Sequence, residues 1–439
     1  MRSGKRISVL MPMLLVGVLG AVLPASVGAA SAGQIVRGRL LPVPAAAPGD
    51  HLTVTAVDVS PSGLVAGTVH VVTANPDGTQ STSDIPERWV RIPRIGWLRQ
   101  RVALPAGASS GTLTGLTDRG EVAGTVTVAG TVTVAGTTRA ARWSADGRSA
   151  TLVGDAGSQV SAVGPRGPWG VFTGSGGPVV LTGGSELVTR AGARTPLSGT
   201  AELDAGYRRT VASIGGPGLA LVWVVDGVGR ATNARAVLWQ NGATVRLPVI
   251  NSAFAGPACV SRVLADGSVA ASGYAVESGA VSYLLLRHVG GVPGTDVVLN
   301  RVTGAGQPVG GLTCASTGVS NSLAYDGGLS GFVSDAGVQR AAYWNGAGGV
   351  TVVPLATGER SATGVAVADA GRMVIQAVGD DGGSLLSLWH NGVSTPLATP
   401  DGWTVTSVVE LTDAGLLVAN VHDSAGTVRP AAWDLAALR

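Results

Sequence analysis

The stretch Leu116–Thr125, LTDRGEVAGT, decides how this chain folds, because it returns. VADAGRMVIQ (367–376) and LTDAGLLVAN (411–420) repeat it, and VDVSPSGLVAGT (57–68) and VLADGSVAASG (263–273) are looser copies. Each sets a Gly-bounded turn between two apolar runs, which is how a tight hairpin is written. A second piece, small-x-x-Trp and then a turn, recurs as AARWSADG (140–147), AVLWQNG (236–242), AAYWNG (341–346), LSLWHNG (386–392) and AAWD (431–434). A third is a short Leu/Pro strand: LPV (41–43), LPA (104–106), LPV (247–249), VPL (353–355) and PLA (396–398).

The Trp of the second piece falls at Trp89, Trp143, Trp239, Trp344, Trp389 and Trp433, at intervals of 54, 96, 105, 45 and 44. The two long intervals read as doubles holding degraded copies, VVLTGG (179–184) with Thr182 and LLLRHVGG (284–291) with His288 in place of the Trp. That makes eight units of about 51 residues each, and no stretch keeps a helical apolar period for three turns. Periods near 40 to 50 with about four strands each are the signature of a β-propeller. The expectation is an all-β propeller of about eight blades, seven being the nearest alternative and an open solenoid or two sandwiches the other architectures. The last unit stops after Trp433-Asp434-Leu435 without its Leu/Pro strand, while Arg39-Leu40-Leu41-Pro42-Val43 is an orphan copy of one. Pairing of these N- and C-terminal strands would close the ring and bury its edges. VAGTVT at 122–127 and again at 128–133 reads as a tandem duplication that lengthens one hairpin.

Composition agrees. With 67 Gly and 23 Pro in 439 residues a mainly helical protein is excluded, since each interior Gly costs a helix about 1 kcal/mol. Apolar residues at 45% exclude a disordered chain. Residues 1–32 read as a signal peptide: Arg2, Lys5 and Arg6, an apolar run from Ile7 to Leu23, then Ala30-Ser31-Ala32 before the cut. An uncleaved anchor is the competing reading of that run. Residues 33–439 are expected to be one propeller domain. The precursor has 30 Lys+Arg against 27 Asp+Glu, and losing those three cations leaves the mature chain balanced. A surplus of cations is what phosphate backbones and anionic lipids require, so neither nucleic acid nor membrane insertion after cleavage is expected. The expected location is extracellular or cell-wall associated, and the expected state a monomer.

The alternation of D-x-G-x-V-x-G with a small-x-x-Trp strand resembles the HAF repeat of secreted bacterial propeller-like proteins, as a pattern over residues 39–439. The His-Ala-Phe triplet itself is replaced by Ala-Ala-Arg, Ala-Val-Leu or Ala-Ala-Tyr. The resemblance implies an extracellular repeat protein and assigns no catalytic residue.

Chemistry is sparse. Cys259 in GPAC and Cys314 in GLTC occupy similar places in adjacent units, which in an exported protein reads as a disulfide, with two free thiols the alternative. Five scattered His show no metal-ligand spacing, so neither metal nor cofactor is expected. Asp58, Asp118, Asp266, Asp369 and Asp413 recur with the repeat and are read as turn residues. GASSG (107–111) matches G-x-S-x-G, but no strand-to-helix elbow follows it. The segment from Arg88 to Arg101 stands out, and Arg88, Arg91, Arg94, Trp97 and Arg99 are the candidate binding residues. Arg forks and an off-repeat Trp suit carboxylate-bearing or sugar ligands. The expected function is therefore a secreted non-catalytic binding module for an extracellular glycan or protein. A propeller glycoside hydrolase or lyase would need two or three acids, or an acid with Tyr or His, converging off-repeat at the central funnel. A structural envelope protein is the third class.

Overall fold

The computed structural model describes residues 35–128, 136–153, 155–164, 169–173, 185–188, 193–197, 208–216, 218–225, 234–251, 258–277, 280–290, 296–303, 307–314 and 319–438. The signal-peptide reading of residues 1–32, the degraded copy at Thr182 and most of the duplicated VAGTVT lie outside the described residues.

The fold is all-β. Consecutive antiparallel strands build seven sheets in a β-propeller arrangement, and the helical content among the described residues is two 3-10 turns, Asp369–Gly371 and Ala436–Leu438. Asp50–Val59, Val65–Ala74, Gln80–Ile92 and Gly96–Arg101 make the first sheet. Thr404–Leu411, Leu416–His422 and Val428–Asp434 make the last, with Arg39–Leu40 antiparallel to Val428–Asp434 as its outer strand. Val36–Arg37 lies parallel to Val393–Ala398 of the sheet before. The first and last sheets adjoin, since Asn420 Oδ1 accepts the Ala56 N–H at 2.8 Å and Asn420 Nδ2 donates to the Ala56 carbonyl at 3.0 Å.

Seven sheets stand against a repeat count of about eight. Seven is the nearest alternative that the repeat count left, and one of the seven sheets is nine-stranded, the pair Ile250–Tyr274 joining Ala243–Asn251 to Val269–Glu277.

The repeated motifs are what hold neighbouring sheets together. The Thr of VAGT accepts a backbone N–H from the next sheet, Thr68 from Leu113 at 3.0 Å and Thr125 from Val160 at 3.1 Å. The Gly before it serves the sheet's own hairpin: a Cβ on Gly124 would stand 1.9 Å from the Thr112 carbonyl oxygen of the adjacent strand. Trp89, Trp143, Trp344 and Trp433 are at most 2% exposed. Three of these indoles donate to the linker strand beside them, Trp89 to the Pro42 carbonyl, Trp143 to that of Ala103 and Trp433 to that of Ala398. A buried indole usually finds a partner for its N–H, so one residue supplies both apolar area and a fixed bond, although the N–H of the buried Trp239 has none among the described residues. His288 pairs with Val269 as Trp143 pairs with Val122, so it fills the Trp position of its unit, and it is buried against Asp296.

Cys259 and Cys314 form a disulfide with their Cα atoms 5.6 Å apart. It ties Cys259–Ser261 to the segment leading into Val319–Ser320, strands that also pair in parallel.

Candidate functional site

Gln80–Ile92 and Gly96–Arg101 form a hairpin whose register sorts the candidate binding residues by face. Trp89 lies opposite Arg99 and Arg91 opposite Trp97, whereas Arg88 lies opposite Gln100. Side chains alternate along a strand, so Arg88 faces away from Arg91, Trp97 and Arg99. It is buried, and its guanidinium donates to the Ala145 and Asp146 carbonyls of the second sheet and to Gln100 Oε1 at 2.9 Å. Burial holds its pKa below the usual arginine value. Arg287 and Arg372 do the same elsewhere, donating to the carbonyls of Gly327 and Gly346 and of Asp413. Arg88 is thus an inter-sheet clasp. Arg99 stands 3.4 Å from the buried Glu87, and burial raises the Glu87 pKa while Arg99 and Arg101 oppose that rise.

Arg91, Arg94 and Trp97 do come together. They line a groove of about 410 Å³ with Arg37 and Arg39 of the N-terminal strands and Asp434 of the last sheet. Arg91 pairs with Asp434, and Arg37 reaches the exposed Asp401 at 3.5 Å. The hairpin tip carries unusual residues for its geometry. Arg94 has φ +66°, a conformation that the hairpins at Asn241 and Asn391 give to Asn, and Ile95 beside it is 81% exposed. Ala336 takes a similar conformation at the tip of the hairpin between Leu329–Asp335 and Val338–Trp344. Three of the five candidate binding residues, Arg91, Arg94 and Trp97, thus line the groove, whereas Arg37 and Arg39 are brought alongside only by the pairing of the N-terminal strands with the last two sheets.

A second cluster lies on the axis. Asp58, Asp118, Arg262, Tyr325, Glu410 and Asp413 line a cavity of about 180 Å³ where the first strands of the sheets converge. Arg262 Nη1 stands 2.8 Å from Glu410 Oε1, their side chains 24% and 13% exposed, and the Arg262 guanidinium lies over the Tyr325 ring, 5.5 Å from its centroid. Asp58 Oδ1 accepts the Val59 N–H and Oδ2 the Leu116 N–H of the second sheet, both at 2.8 Å, and its carboxyl also contacts that of Glu410. Burial, then the charge of Glu410, pushes the Asp58 pKa up to about 8. Burial raises Glu410 as well, against the pull of Arg262.

Asp58 is therefore not the turn residue its spacing suggests. The turn proper begins at Ser60, whose N–H bonds the Leu64 carbonyl as that of Thr117 bonds Glu121 and that of Thr412 bonds Leu416. Asp58 and Glu410 sit two residues earlier, just after a β-bulge, paired with Ala66 and Val418 where Gly115 pairs with Ala123 and Ala366 with Val374. A bulge re-aims the following side chain, here onto the axis. Aligning the units on the turn rather than on Asp would have shown Asp58, Arg262 and Glu410 where other units carry Gly115, Ser322 and Ala366.

The convergence that an enzyme would require is thus present, but its geometry is unlike a glycosidase's. Flanking carboxyls need about 5–5.5 Å or 6.5–9.5 Å between them for a sugar and its water. Here they touch, and Asp58 spends both oxygens on backbone N–H groups. Among the described residues no group of three His, Cys, Asp or Glu is arranged to hold a metal ion.

No family model and no curated protein matches the chain. Among solved structures it is similar to the β-propeller domain of the trilobed protease from Pyrococcus furiosus, at 9% identity and TM-score 0.41 over 88% of this chain and 93% of that one. Dipeptidyl peptidase 4 from Porphyromonas gingivalis is similar at 8% identity and TM-score 0.47 over 84% of this chain and 59% of that one. Virginiamycin B lyase from Staphylococcus aureus is similar at 10% identity and TM-score 0.31 over 88% and 99%. These are likenesses of fold alone.

Proposed function

We propose that this is a secreted, monomeric, non-catalytic binding module of the HAF-repeat kind, formed by residues 33–439. In this reading the fused nine-stranded sheet counts as two blades, giving an eight-bladed ring closed by its own N-terminal strands. Its ligand is an extracellular glycan or protein segment bearing carboxylates, taken in the groove where the first and last sheets meet. The observation that carries this is the groove's composition: Arg37, Arg39, Arg91 and Arg94 beside Trp97, with Asp434 the acid among its lining residues. Guanidinium forks match carboxylates bidentately, and an indole face beside them suits a sugar ring or an apolar stem.

A glycan and cell-wall binding screen with the mature protein tests it, repeated after Trp97→Ala and Arg94→Ala. A charge-assisted bond is worth about 1.5–3 kcal/mol, so Arg94→Ala should weaken binding roughly tenfold or more, and the affinity should fall with added salt. Retention of full affinity in both variants would remove the groove from the function.

The axial cluster favours a second reading, a hydrolase or lyase acting on an extracellular polysaccharide. Release of products by the mature protein, abolished in Asp58→Asn, would establish it in place of the first.

A further inference from the structure

We propose that the ring is pinned at its axis by a pH-sensitive strut, in which Asp58 of the first sheet and Glu410 of the last meet as one protonated pair beneath Arg262, so that losing the shared proton loosens the seam between those sheets.

The geometry places the pair at the seam. Asp58 lies near the end of Asp50–Val59 and Glu410 near the end of Thr404–Leu411, the innermost strands of two adjoining sheets that are also bonded through Asn420 with Ala56 and, farther out, Arg91 with Asp434. Arg262 reaches them from the nine-stranded sheet and spans the axis to bond Glu410. Asn321 spans it too, donating to the Val409 carbonyl. The groups that face the pair are Arg262 and Tyr325, Asp118 beyond Ala108–Leu116, Asp413 beyond Thr404–Leu411, and the neutral Ser213 from Arg208–Gly216. Asp118 and Asp413 are exposed at the edge of the cavity, so Asp58 and Glu410 are the two carboxyl groups drawn in beside the Arg262 guanidinium. With Asp58 and Glu410 both ionised and in contact, two negative charges largely withdrawn from water would share one guanidinium, and retaining one proton relieves their repulsion.

The direction of the pH effect follows from linkage. Asp58 binds its proton more tightly in the folded chain, where its pKa is about 8, than at its ordinary value of 3.8. Between those values the folded state holds a proton that the unfolded state has released, so stability is lost as pH rises through this window and levels off above it. The strut does not depend on the groove's being a binding site.

The test compares denaturant unfolding of the full mature chain with that of Asp58→Asn from pH 5 to 9. The amide keeps an acceptor for the Leu116 N–H and a donor toward Glu410 without titrating. The folding constant of the native protein, divided by that of the variant, should fall by close to tenfold per pH unit between pH 5 and 7, and flatten above about 8. A ratio independent of pH overturns the strut. Should Asp58→Asn fail to fold, the carboxyl carbon resonance of Asp58 in the native protein decides. A midpoint near 8 supports the shared proton, and one at or below about 5 overturns it.

Discussion

Trp433→Ala is expected to cost about 3–5 kcal/mol, the range for removing a fully buried large aromatic residue. Trp433 is 0% exposed, and its indole does three things at once. It fills the core between the last two sheets with Leu397, Ala431 and Leu435. Its N–H bonds the Ala398 carbonyl at 2.8 Å. Its ring supports the N-terminal segment, which crosses it so closely that a Cβ on Gly38 would fall 2.4 Å from the ring carbon Cε2. Alanine would leave a void that this thin layer of backbone cannot fill. The stability loss should therefore come with local release of Val36–Leu41. Urea unfolding should show a lowered midpoint, and limited proteolysis should cut first within residues 35–45. Trp97→Ala serves as the control, because Trp97 is only half-buried and should change stability by less than about 1 kcal/mol. A Trp433→Ala protein with unchanged midpoint would refute the packing role assigned to the repeated Trp.

Removing the disulfide is the second large effect. Cys259 and Cys314 are 55 residues apart, and a cross-link of that span restricts the unfolded chain by about 4 kcal/mol in the loop-entropy account, with 2–4 kcal/mol typical of measurement. Cys259→Ser with Cys314→Ser should lower stability by that amount, and reductant should lower the native protein to the same level. The effect should centre on Cys259–Ser261 and Val319–Ser320, which pair in parallel beside the bond. Reduced and oxidised protein unfolding within about 0.5 kcal/mol of each other would show that strand pairing alone holds this junction.

Much of this was legible in the chain itself, because a repeat states its contacts many times over. VAGT and the small-x-x-Trp piece are contact codes: a Gly for close approach, a Thr to accept from the next sheet, an indole to fill the gap and bond the linker. Strand alternation also held information that the clustering of Arg88–Arg101 obscured. Arg88 has the opposite parity to Trp89, Arg91, Trp97 and Arg99, and parity alone turns it toward the second sheet. Two features were harder to read. The Ile250–Tyr274 pair that fuses two units depends on how closely neighbouring strands approach, which no motif encodes. The axial cluster joins residues as distant as Asp58 and Glu410, which spacing counted from the recurring Asp hides and register counted from the turn sets apart.

The N-terminal strands carry a consequence for biogenesis. Val36–Arg37 and Arg39–Leu40 find their partners in Val393–Ala398 and Val428–Asp434, some 360 to 390 residues later. During synthesis these strands must wait, unpaired, until nearly the whole chain has followed. Contacts of such separation form late and slowly, and waiting edges invite pairing with other chains. Leu40, Leu41 and Val43 are therefore the segment that a chaperone has most reason to shield. Truncation near residue 430 should yield not a slightly shorter propeller but an open one with two unmatched ends.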